Sequence, residues 1–67
     1  MKVKDFAPLV FDTKVAMFKR GKILEDGVVW SGEPRNDSSW KNFKEQTIMQ
    51  IDAVNEEPDA EIYLVIE

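Results

Sequence analysis

Ile62, Leu64 and Ile66 alternate with Tyr63, Val65 and Glu67, and this two-residue period commits Glu61–Glu67 to a β-strand with one apolar face. A strand cannot satisfy its own backbone, so it needs partner strands. Ile48 to Val54 alternates as well, with Ile48, Gln50, Asp52 and Val54 on one side and Met49, Ile51 and Ala53 on the other. The polar middle of the first set marks it as the solvent face. Asn55-Glu-Glu-Pro-Asp-Ala60 between the two segments is a run of turn formers, so they are expected to lie side by side.

Two further strands precede these. In Lys14–Lys19, Val15 and Met17 oppose Ala16 and Phe18. Val28-Val29-Trp30 is apolar and β-prone, and Ser31-Gly32-Glu33-Pro34 ends it because proline cannot donate to a ladder. Arg20-Gly21-Lys22 and Asp26-Gly27 are both turn signals, which leaves either two tight turns or one longer loop over Arg20–Asp26. Val3, Phe6, Ala7 and Val10 share one side of a helical wheel, but Pro8 lacks an amide donor and disfavours the α region at Ala7. The opening helix is therefore one or two turns, or broken. A second helix is expected from about Ser39 to Gln46 or Thr47, lined by Trp40, Phe43 and Thr47 and capped by Asn36, Asp37 or Ser38. The expectation is one small α+β domain over residues 1–67, in the order α-β-β-α-β-β. Its four-stranded, mainly antiparallel sheet would be covered on one face by the Trp40/Phe43 helix, with the opening helix beside it.

A chain this short buries only about 60% of its unfolded surface, so its stability margin is thin and a homodimer is one way to widen it. With no cysteine and no histidine, disulfides, thiolate chemistry, Ser-His-Asp catalysis and the usual zinc ligands are excluded. No glycine-rich phosphate loop or Asp-x-Asp-x-Asp-Gly spacing occurs. The expectation is a non-enzyme with no catalytic residue, no metal ligand and no cofactor. No basic region leads into an apolar leader and no run approaches a membrane span, so the expected location is the cytoplasm.

Charge is distributed unevenly. Asp52 to Glu67 carry six carboxylates and no basic side chain, whereas all nine Lys and Arg lie between Lys2 and Lys44. Asp52, Glu56, Glu57, Asp59 and Glu61 cluster around one strand connection and form a candidate partner-binding site, since fixed carboxylates can imitate a short run of phosphates. The plainer account is a solvated acidic loop. Trp30 is a candidate contact residue too, as tryptophan is enriched in binding hot spots, although in so small a domain its ordinary place is the core. Lys19, Arg20 and Lys22 could straddle phosphates, but a net charge of −4 makes nucleic acid an unfavoured partner.

Several short strings carry a resemblance. Met-Lys-Val-Lys-Asp before the opening helix, a Thr-Lys-Val strand, a Trp-Ser-Gly strand end, Met-Gln-Ile-Asp-Ala-Val and the closing Glu-Ile-Tyr-Leu-Val-Ile-Glu resemble small uncharacterised proteins encoded by prophages and mobile elements of Gram-positive bacteria. The resemblance implies a small α+β fold and an accessory role. Three functions follow as expectations: an accessory or adaptor protein acting through protein–protein contact, an acidic nucleic-acid mimic that inhibits a host nucleic-acid-binding enzyme or defence complex, and a weak nucleic-acid binder using the basic turn.

Overall fold

A computed structural model describes residues 1–21, 27–55 and 60–67. The chain opens with α1 (Val3–Phe6), which tightens without interruption into a 3₁₀ turn over Ala7–Leu9. Ala7 keeps a helical backbone, φ −55° and ψ −39°, despite the proline that follows. Pro8 sits at the start of the 3₁₀ turn, where its missing N–H costs nothing. So short a helix cannot stand alone, and its unpaired first-turn amides are taken up from outside: Val3 N–H donates to Gln46 O and Lys4 N–H to Lys44 O, both at 3.0 Å.

Four strands follow: β1 (Lys14–Lys19), β2 (Val28–Gly32), β3 (Ile48–Asn55) and β4 (Ala60–Ile66). They form one sheet in the order β2-β1-β4-β3. β1 with β2 and β3 with β4 pair antiparallel, and the two pairs are joined where β1 runs parallel to β4. The architecture is therefore α+β with a mixed sheet. The mainly antiparallel expectation holds for both outer pairings and is corrected at the centre, where the chain returns through residues 33–47 before β3.

Register assigns the faces, because directly opposed residues share one. Val15 and Met17 lie against Ile62 and Leu64 on one side and against Gly32 and Trp30 on the other. This is the face on which Val3, Ala7, Val10 and Trp40 pack to complete the core, with Met17, Leu64, Val3 and Val15 the largest fully buried side chains. Ile62, Leu64 and Ile66 occupy the core side of β4 as their alternation predicts, Ile62 being partly buried. Phe18 and Tyr63 share the opposite face, their rings edge to face at 5.1 Å.

Two expectations about the covering layer change. The helix over Ser39 to Thr47 is a 3₁₀ helix, Ser38–Phe43, followed by i→i−3 bonds from Lys44 to Lys41 and from Gln46 to Phe43. With three residues per turn, Trp40 and Phe43 eclipse one another and both reach the core, which an α-helix would spread over a wider arc. The opening segment lies beside this helix as expected and supplies Val3, Ala7 and Val10 to the same core. The side of β3 that sequence assigns to the interior is only partly covered: Ile51 and Ala53 oppose Leu64 and Ile62, but Ile51 is 43% exposed because no described helix extends over this strand. A bulge between Ile48 and Gln50 interrupts the alternation at Met49. Arg20–Asp26, where two turn readings stood open, falls largely outside the described residues.

Candidate functional site

Leu9, the last residue of the 3₁₀ turn, and Phe11 just beyond it are the most exposed large apolar side chains among the described residues, at 75% and 66%. Their position follows from the backbone. Val10 faces the core as the 3₁₀ turn ends, and the extended backbone beyond it turns the neighbours on either side outward. Phe11 borders a shallow cleft of about 130 Å³ lined by Ala7, Pro8, Val10, Pro34, Arg35 and Trp40. The Arg35 guanidinium lies 4.1 Å from the centre of the Phe11 ring, a cation–π contact, and reaches Asp12 at 3.4 Å. The Trp40 indole is fixed beneath by donating its N–H to Pro34 O at 3.1 Å. The result is an apolar recess with one cation at its rim. Its volume is well below the ~300–1,000 Å³ of ordinary small-molecule sites, and it suits a single side chain of a partner.

The turn that carries Arg35 is held rigidly. Asn36 and Asp37 both donate their amides to Glu33 O at 2.9 Å. Of the three possible caps, Asp37 is the one used: its carboxylate accepts from Ser39 N at 3.0 Å and from the Ser39 hydroxyl at 2.6 Å. That hydroxyl in turn accepts the Trp30 indole N–H at 2.7 Å. The Ser39 hydroxyl and then its amide hold the Asp37 carboxyl below its ordinary 3.8. β2 is thereby tied to the 3₁₀ helix. Trp30 is 8% exposed and lies within the core cluster.

The acidic candidates are only partly placed. Glu56, Glu57 and Asp59 lie outside the described residues. Asp52 is exposed on the face opposite the covering helices, across from Tyr63, and accepts a hydrogen bond from the Gln50 amide. Glu61 shares that face, but Lys14 stands directly opposite and pairs with it at 3.4 Å. Asp52 and Glu61 are thus brought near each other, with one of the two charges compensated. In the basic turn, Lys19 and Arg20 are exposed and Arg20 N–H closes onto Ile66 O at 2.7 Å, while Lys22 lies outside the described residues. Among the described residues no group of acidic side chains could hold a metal ion, and no helix is long and apolar enough to cross a membrane.

Sequence reasoning passed over Leu9, Phe11 and Arg35. The available signal was two large apolar residues flanking Val10 just after a proline, where no helical or strand period gives them a place in the core. No family model, curated protein or solved structure matches the chain.

Proposed function

We propose that this protein is a non-catalytic accessory or adaptor protein that works by protein–protein contact, with the Phe11–Arg35–Trp40 cleft as its docking point. The observation that carries this reading is the pairing of a side-chain-sized apolar recess with the large exposed Phe11 ring at its border, beside a single cation, Arg35. Isolated exposed apolar residues are ordinary, but a contiguous group around a recess is the form a binding patch takes. The matching partner presents an apolar side chain with a carboxylate close by, which would compete with Asp12 for Arg35. An accessory role accords with the resemblance to prophage and mobile-element proteins. Acidic mimicry draws less support, since Glu61 is already compensated by Lys14.

The test is capture of partners by wild-type protein, by a Leu9→Ser, Phe11→Ser double variant and by an Asp52→Lys, Glu56→Lys, Glu57→Lys triple variant. A partner lost with the first and kept with the second supports the adaptor reading. Loss only with the charge reversals, together with a nucleic-acid-binding partner, replaces it by mimicry.

A further inference from the structure

The two edges of the sheet are unlike. β2 is short, carries a shifted register between Met17 and Phe18 on its partner, and runs into Gly32-Glu33-Pro34, all features that discourage addition of another strand. β3 is the longest strand, contains no proline and no lysine, and exposes Met49 and Ile51 by 49% and 43%. Part of this edge already accepts a strand. Ile48 N–H donates to Met1 O at 2.8 Å, Val3 N–H donates to Gln46 O at 3.0 Å, and Lys2 bridges Thr47 antiparallel. The described pairing on this edge reaches Ile48 and no further. Among the described residues nothing pairs with Met49–Asn55 on the side away from β4.

We propose that this free stretch is occupied by the same stretch of a second copy of the chain, giving a twofold dimer with one continuous eight-stranded sheet. A twofold axis makes the two β3 strands antiparallel. Equal parity is required for opposed residues to share a face, which leaves registers centred on single residues. Centring on Ile51 would drive Val54 of the second copy into the place Met1 holds opposite Ile48, and centring on Gln50 would collide further with Lys2. Centring on Ala53 abandons part of the stretch. Centring on Asp52 uses all of it, keeps the Met49 bulge clear of the Gln50–Val54 pairs, and sets Ile51 against Ala53 of the second copy. The core-side row then runs Leu64, Ile51, Ala53 of the second copy and Ile62 of the second copy without a polar break. This register has one cost, two opposed Asp52 carboxylates at the axis, and that gives it a signature. Because β2 is protected, each copy has one open edge, and assembly stops at two.

The pairing is independent of the adaptor cleft, so either can fail alone. Sedimentation of the pure protein from micromolar to millimolar concentration should show a monomer–dimer equilibrium. Ile51→Lys should weaken it by about tenfold or more, through lost apolar contact and lysines brought close across the seam. Asp52→Asn should tighten it by about threefold or more by removing the like charges. Both sites are exposed, and unchanged circular dichroism of the monomeric fractions would confirm that folding is retained. A monomer at every concentration, or a dimer indifferent to Ile51→Lys, overturns the proposal. A dimer weakened by Ile51→Lys but unmoved by Asp52→Asn overturns the Asp52-centred register.

Discussion

Gly21 and Gly32 both have positive φ, 82° and 156°, but they fail differently when a side chain is added. Among the described residues a Cβ at Gly21 meets nothing within 4 Å, so Gly21→Ala should carry the backbone penalty, about 1–2 kcal/mol. A Cβ at Gly32 would lie 3.3 Å from the Trp30 ring, whose position is fixed by Ser39, so the same change there adds displacement of a core aromatic. Gly32→Ala should cost about 1–3 kcal/mol beyond the backbone term, and denaturant midpoints of the two variants should rank accordingly. Glu45 gives a second test at this scale. Hydrogen bonds from the Lys2 ammonium, then from that of Lys4, hold its carboxyl below the ordinary 4.5. A depressed carboxyl pKa stabilises the folded state above the unfolded value, and the contribution is lost as pH falls through the folded value. Glu45→Gln should therefore lower the melting temperature slightly at neutral pH and lose less on acidification from about pH 5 to pH 3 than the wild type. Parallel melting curves for the two proteins across that range would remove the assignment.

Among elements, β4 is the most demanding. Its alternation reads directly in the sequence because one face is buried against Val15 and Met17 and the other is half-covered. Leu64→Asp would bury an unpaired carboxylate at a fully enclosed site and should cost more than about 4 kcal/mol, enough to unfold a domain this small. Tyr63→Ser loses an edge-to-face partner for Phe18 and should cost about 1–2 kcal/mol, leaving a cooperative melt. Equal melting temperatures at both positions would refute the register. β1 was legible as a strand but not as a central one, although the burial of all four residues from Val15 to Phe18 has its sign in their unbroken apolar run. The 3₁₀ form of Ser38–Phe43 was not legible, since Trp40 and Phe43 at i, i+3 suit either helix. At the candidate site the acidic residues were conspicuous as charge, while Leu9 and Phe11 stand out only once the backbone path shows that they cannot turn inward.

For the molecule as a whole, the parallel contact of β1 with β4 is the seam that makes one sheet from two hairpins. Neither hairpin has the strands or the covered face to persist alone. A peptide spanning residues 12–34 should be unstructured by circular dichroism, whereas the full chain should unfold in one transition by every probe. Ordered β-structure in the isolated peptide would show that the seam is dispensable. The seam was not readable from local pattern, because it joins segments far apart in sequence whose pairing depends on the order of strands in space. Its position also governs what happens while the chain is being made. β1 leaves the ribosome early with apolar side chains on both faces, and its central neighbour β4 is the last of the four strands to appear. At ~5–20 residues per second the gap lasts roughly seconds, long compared with hairpin formation. Throughout it the nascent chain displays an unmatched strand edge, a natural substrate for chaperones and for pairing between neighbouring nascent chains on one message.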